Sequence, residues 1–263
     1  MTLRRFYLPP EQWNLAEPFL EGDEARHMLK VLRLGVGDVV LLFDGTGWEG
    51  RARVEKVAGR KIFFSIREKR FLPKDSPLKI TLALPLIRPQ FLEWVLQKGT
   101  ELGVSAFIPY YSTYSGPKAS QRDWGGKLER WERIIAEAGK QCGRNRLPLL
   151  ENPLSFEGLL ETAEKALRLI PYEQETAYTF RNLADNTSKV EEVLACIGPE
   201  GGFPPEEVRK AREKNFLPVS LGPRVLRSET AALTLVTLLQ YVWGDLSDAL
   251  PASRNWADAQ EKK

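Results

Sequence analysis

The chain has 263 residues, 43% of them hydrophobic, which suits two domains, or one domain with a substantial appendage, around a real core. Its 38 Lys and Arg against 35 Asp and Glu leave a formal charge of +3, too small alone to announce a nucleic-acid partner, so that case rests on local clustering. With Cys142 and Cys196 as the only cysteines and His27 as the only histidine, a disulfide framework, a thiolate zinc site and histidine-metal chemistry are excluded.

The opening MTLRRFYLPPEQW lacks the apolar core of a signal peptide. The most apolar run, ALTLVTLLQYVW at 232–243, is shorter than the roughly 20 residues that span a bilayer. A soluble, cytoplasmic protein with no membrane partner and no metal is the expectation.

Residues 4–70 read as strands. DVVLLFDG at 38–45 is apolar and ends on an Asp-Gly turn signal. WEGRARVEKV then sets Arg51, Arg53 and Glu55 against Ala52 and Val54, and KIFFSI alternates Ile62, Phe64 and Ile66 with Lys61, Phe63 and Ser65. Several short strands in so few residues predict a small antiparallel barrel. LPKDSP at 72–77, polar and proline-bounded, suits a linker.

After it the period changes. LKITLALPL reads as a buried strand, QFLEWVLQKGTELG as a helix with Phe91, Val95, Gly99 and Leu102 on one face and Gly103 as its stop, and VSAFIPY as another strand. WGGKLERWERIIAEAGKQCGR aligns Trp124, Leu128, Trp131, Ile135, Ala138 and Cys142 along one helical stripe. KALRLIPY, VLACIG and LPVSLG follow as strands, then a long helix from about Glu229 to Trp243 and a polar tail. Strands alternating with helices predict an α/β domain with a mostly parallel sheet.

Two glycine-bearing stretches sit where open α/β sheets bind ligands, at the carboxyl ends of successive strands. IGPEGGFPPEE at 197–207 leaves an apolar strand through Gly198, Gly201 and Gly202 and enters a helix through prolines, with Glu206 and Glu207 in its first turn. LGPRVLRSETAA at 221–232 repeats the plan, with Ser228 as the N-cap. Neither is a GxGxxG or Walker A loop, and each taken alone reads first as a plain strand-turn-helix junction. Residues 116–148 carry eight Lys and Arg against four Asp and Glu. That segment is either a solvated helix face or a phosphate-binding helix end.

In order along the chain, HMLKVLRLGVGD with LLFDGTGWEG, then ERWERIIAEAGKQCGR, then IGPEGGFPPEE and LGPRVLRSETAA, resemble the successive motifs of the ribosomal small-subunit RNA methyltransferase E family. GPEGG followed after about 20 residues by LGPRVLRSETA is the most specific part. The resemblance implies a PUA-like β-barrel that binds RNA at 1–72, a SPOUT-type α/β domain with a C-terminal trefoil knot at 73–246, and a polar tail at 247–263. It implies S-adenosylmethionine (SAM) as methyl donor, a homodimer, and methylation of N3 of a uridine in 16S ribosomal RNA of the small subunit.

Carried over residue by residue, the cofactor would meet three loops. The first holds Pro171, Tyr172 and Glu173. Gly198, Pro199, Glu200, Gly201 and Gly202 form the second. Leu221, Gly222, Leu226, Arg227, Ser228, Glu229, Thr230 and Ala231 supply the third. Arg227 is the candidate catalytic residue, its charge favouring the uracil anion, and Glu200 is a second candidate, as proton acceptor. Arg4, Arg5, Lys140, Arg144 and Arg146 would hold the RNA backbone. In STYSGPK, Tyr114 stands where the family carries an arginine, and His27, followed by Met28 rather than a second histidine, reads as structural.

Overall fold

In the computed structural model, the described residues are 3–73, 75–112, 125–162 and 166–247. Trp124, Tyr114 and the polar tail beyond residue 247 lie outside them. The chain divides into two compact units. Among the described residues, the first takes those up to Asp75 together with Gly139–Leu147, and the second takes Ser76–Ala138 and Pro148–Ser247.

The first unit runs β1 (Arg5–Tyr7), α1 (Pro10–Trp13), β2 (Phe19–Leu20), α2 (Gly22–Arg26), a π-helical turn at His27–Val31, β3 (Val39–Phe43), β4 (Trp48–Ala58) and β5 (Lys61–Phe71). Its sheet has the order β1-β3-β4-β5-β2. The period-two reading of the long strands holds: Ala52, Val54, Ile62 and Phe64 are buried, while Arg53 and Glu55 are exposed. These apolar faces join Phe6, Leu8, Trp13, Met28, Val40 and Leu42 in one core.

One pairing departs from an all-antiparallel sheet, since β1 runs parallel to β3. The reason lies in the connection. Between them the chain passes through α1, β2 and α2, a crossover rather than a hairpin, and a crossover returns a strand in the same direction. His27 is exposed at the start of the π-helical turn, and its backbone carbonyl, not its ring, makes the structural bond, accepting from Leu32 at 3.1 Å.

The second unit contains β6 (Lys79–Pro85), α3 (Pro89–Glu101), β7 (Ala106–Tyr111), α4 (Gly125–Cys142, its last turn from Gly139 belonging to the first unit), β8 (Leu149–Leu150), β9 (Leu154–Ser155) and α5 (Phe156–Leu160). It continues with β10 (Leu167–Pro171), α6 (Phe180–Asn186), β11 (Glu192–Cys196), α7 (Pro205–Glu213), β12 (Leu217–Val219) and α8 (Ser228–Trp243). The described strands pair in the order β12-β10-β11-β6-β7-β8, with β9 also on β7, and every pairing is parallel. A sheet covered on both faces explains the continuous apolar runs LALP and VLAC.

Alternate residues of β7 show the two layers. Phe107 packs against α3, where a Cβ on Gly99 would stand 2.9 Å from its ring, which is why glycine sits in mid-helix. Ile108 and Tyr110 face the opposite way, into a core with Phe156 and Leu159 of α5 and Val208 and Ala211 of α7. Buried Gln240 of α8 donates to the Gly103 carbonyl at 3.2 Å, tying α8 to the turn that ends α3. Gly103 itself holds φ +88°, as a helix stop requires.

Candidate functional site

The loops after β10, β11 and β12 leave the carboxyl ends of three neighbouring strands. Here the strand order reverses, since β11 lies on one side of β10 and β12 on the other, which is where doubly wound sheets open a crevice. The crevice encloses about 240 Å³, close to the ~300 Å³ floor for small-molecule sites.

Pro171, Tyr172 and Glu173 form the first wall. Tyr172 donates its amide to Val219 at 3.1 Å, which binds this loop to the end of β12. Burial, and then the nearby Glu173 carboxylate, raise the Tyr172 phenol above its ordinary pKa.

Residues 197–203 make the middle wall. A tight turn closes there, with the Gly202 amide donating to the Pro199 carbonyl at 2.9 Å. Gly202 holds φ +76°, and a Cβ there would lie 2.5 Å from Glu173 Oε1; a Cβ on Gly198 would lie 2.8 Å from the Phe203 ring. Glycine is therefore a conformational requirement at Gly202, with its positive φ, and a steric one at Gly198, against the Phe203 ring. Below the turn, the buried Tyr110 hydroxyl donates to the Ile197 carbonyl at 2.7 Å.

The third wall runs from Ser220 through Leu221 and Gly222 to the first turn of α8. Ser228 is not its N-cap. Arg227 holds the extended cap conformation (φ −63°, ψ 152°), no side chain caps the helix, and Ser228 is the first helical residue, turned inward and buried.

The expected cofactor residues Pro171, Tyr172, Gly198, Pro199, Glu200, Gly201, Gly202, Leu221, Gly222, Leu226, Ser228 and Ala231 all line this one crevice. Arg227, Glu229 and Thr230 do not line it and sit at the entry of α8. Arg227 is exposed, and no ion pair to Glu229 or to any other described residue holds it.

Five lining residues, Ile197, Phe203, Ser220, Arg224 and Val225, escaped the sequence reading. Val225, between Arg224 and Leu226, is 82% exposed at the rim, which nothing in the local sequence marks. Glu200 brings in a further residue. Its carboxylate pairs with Arg88 at 2.8 Å rather than capping amides of its own turn. Arg88 closes the carboxyl end of the next strand, β6, as N-cap of α3, so the same carboxyl-end rule pointed to it.

The expected RNA-binding residues of the first unit separate into two kinds. Arg5 donates to the carbonyls of Gly143 at 3.2 Å and Arg144 at 2.9 Å and to Asn145 Oδ1 at 2.8 Å, stacks over Phe43 and pairs with Glu49. Burial pulls its guanidinium below the ordinary value and Glu49 opposes that shift. Lys140 pairs with Glu24 at 2.9 Å and Arg144 with Asp75 at 3.4 Å, both with little exposure. Arg4 is exposed, and Arg146, paired with Asp75 at 3.1 Å, keeps half of its side chain in solvent. Among the described residues no cluster of three His, Cys, Asp or Glu side chains is arranged to hold a metal, and no helix is long and apolar enough to cross a membrane.

An RNA methyltransferase domain matches residues 74–240, more than half of the chain, and an RNA methyltransferase PUA domain matches residues 20–67. Over 247 residues the chain is 31% identical to the ribosomal RNA small subunit methyltransferase E of Bacillus subtilis, covering 91% of this chain and 96% of that one. The chain belongs to the ribosomal RNA small subunit methyltransferase E family.

Solved structures agree with that membership. A methyltransferase E of Neisseria gonorrhoeae bound to S-adenosyl methionine superposes with a TM-score of 0.81 at 31% identity, over 92% of this chain and 99% of that one. A Legionella pneumophila structure in complex with the bound cofactor SAM reaches 0.84 at 36% identity, over 94% and 100%.

Proposed function

We propose that the chain transfers a methyl group from SAM to N3 of a uridine in 16S ribosomal RNA of the small subunit. The observation that carries this reading is the convergence of twelve motif residues from three loops on a single crevice at the switch point of the sheet. Its lining suits SAM. Leu221, Leu226 and Tyr172 offer apolar surface, and the glycine turn offers backbone polar groups. When bound, SAM supplies a methyl group on a cationic sulfonium, already activated for transfer.

The protein's part is then to bring the acceptor into line and to ease loss of the N3 proton. Arg227, exposed beside the crevice and held by no ion pair among the described residues, is the cation for the developing uracil anion. Glu200 is a weak candidate for proton acceptor, because Arg88 already holds its carboxylate at 2.8 Å. Arg4 and Arg146 are the members of the basic set with exposed charge for the RNA backbone.

The same reading includes a division at residues 1–72 and 73–246, closure of the N-terminal sheet into a PUA-like barrel, and a trefoil knot in the catalytic domain. It also includes a homodimer working in the cytoplasm.

The test is nucleoside mass spectrometry of small subunits lacking the mark, incubated with purified protein and SAM. Appearance of 3-methyluridine is expected. A 2′-O-methyl nucleotide would assign a different acceptor, and SAM-independent RNA binding with no transfer would make the chain an assembly factor.

A further inference from the structure

Trp48 and Phe71 face each other across the β4/β5 pairing, ring centroids 5.4 Å apart and planes at 58°. Even so, 40% of Trp48 and 50% of Phe71 remains exposed. Single apolar residues scattered on a surface need no explanation, but two large rings fixed side by side in solvent do.

Their support is rigid. Buried Asp44 accepts from the amides of Thr46 at 2.8 Å and Trp48 at 3.1 Å and from the Thr46 hydroxyl at 2.6 Å. The Leu72 amide donates to the Gly47 carbonyl at 2.8 Å. Gly47 holds φ +116°, and a Cβ there would strike the Phe71 ring at 2.8 Å, so the loop fits the ring closely.

The rim is cationic. Arg146 donates through Nε to the Thr46 carbonyl at 3.4 Å while half its side chain stays in solvent, and exposed Arg67 and Lys69 precede Phe71 along β5. The neighbouring acids are each engaged within this unit, and Asp75 divides its carboxylate between Arg144 and the rim's Arg146. Asp44 organises the loop, and fully buried Glu49 is paired with Arg5 and Arg70.

We propose that Trp48 and Phe71 form a stacking platform for an unpaired RNA base, with Arg146 contacting the adjoining phosphate. Every base has a π face, so such a platform tolerates any sequence and holds a single strand by stacking and charge. The positive rim favours RNA over a protein surface. This inference rests on the reading of ribosomal RNA as substrate and adds a contact that the reading does not contain.

The test measures binding of a single-stranded 16S RNA fragment and of unmodified small subunits to the full chain and to its Trp48→Ala, Phe71→Ala and Trp48→Phe variants. Calorimetry with SAM and thermal unfolding run in parallel. Each alanine variant is expected to raise the Kd for RNA about tenfold with SAM affinity unchanged, and Trp48→Phe to stay within about twofold of the parent. RNA affinity unchanged in both alanine variants, with normal unfolding, would overturn the platform. So would a loss confined to assembled subunits, which would assign the patch to a ribosomal protein.

If an alanine variant fails to fold, ultraviolet crosslinking of the parent protein decides. Crosslinks in the peptides bearing Trp48 or Phe71 support the platform, and crosslinks only elsewhere overturn it. Methylation by the parent protein is scored separately. Transfer without any platform effect refutes this inference alone, and a platform effect without transfer refutes the substrate reading alone.

Discussion

The phenol of Tyr110, on β7, donates to the carbonyl of Ile197, the residue that leads β11 into the glycine turn, at 2.7 Å. The pair is completely buried, and burial drives the Tyr110 pKa well above its ordinary value, so the group stays a neutral donor across the working range. A strand two places away in the sheet thus fixes where the pocket's middle wall begins.

Tyr110→Phe removes the donor and strands the Ile197 carbonyl in an apolar core. A loss of about 1–2 kcal/mol in unfolding free energy is expected, with weaker SAM binding. Denaturant unfolding and calorimetry measure the two effects.

Gly202→Ala introduces a Cβ 2.5 Å from Glu173 Oε1 at φ +76°. It should cost about 1–2 kcal/mol and sharply lower SAM affinity. Adding Glu173→Ala removes the clash but not the backbone strain, so calorimetry should register partial recovery only.

Glu200→Gln separates two roles for that carboxylate. Because Arg88 already pairs with it at 2.8 Å in an exposed setting, stability should change by less than about 1 kcal/mol. Turnover should fall less than about tenfold, whereas Arg227→Ala should lower it about a hundredfold with SAM binding retained. Single-turnover methyl transfer distinguishes them.

Arg4 and Arg5 are adjacent, yet their variants should behave differently. Arg5→Ala leaves buried Glu49 with one cation fewer and three acceptors unfilled, and should cost about 3 kcal/mol in thermal unfolding. Arg4→Ala should leave the melting temperature unchanged and weaken RNA binding, with a shallower salt dependence.

Thiol labelling gives an independent check on the core. Cys196 is wholly buried and its pKa is pushed far up by burial, while Cys142 is partly exposed. One thiol should react in the folded protein at pH 8, at Cys142, and both should react in denaturant.

The parallel sheet and the two glycine-bearing loops were legible because their signals are local, whereas the loop at Pro171 came only with the family resemblance. Apolar runs such as VLAC end in glycines and prolines, and the turn chemistry itself marks the carboxyl end of each strand. What stayed hidden depends on distant pairing. LRRF shows two equivalent arginines, but a strand turns them to opposite faces, and only the remote Gly139–Leu147 segment decides that Arg5's face is buried. Arg88 looks like a residue preceding a helix-starting proline until Glu200 arrives from another loop. The parallel β1/β3 pair was hidden for the same reason, since period-two alternation carries no direction.

The Gly139–Leu147 segment also constrains how the protein is made. Residues up to Asp75 emerge first from the ribosome, but Arg5 then lacks the acceptors at Gly143, Arg144 and Asn145, and the loop at Gly47 lacks the Asn145 carbonyl to which its amide donates at 3.0 Å. At about 5–20 residues per second, several seconds of further synthesis separate the two pieces. This unit is therefore held incomplete until Leu147 has been made, and a truncation at Asp75 would remove its own buried Arg144 and Asn145.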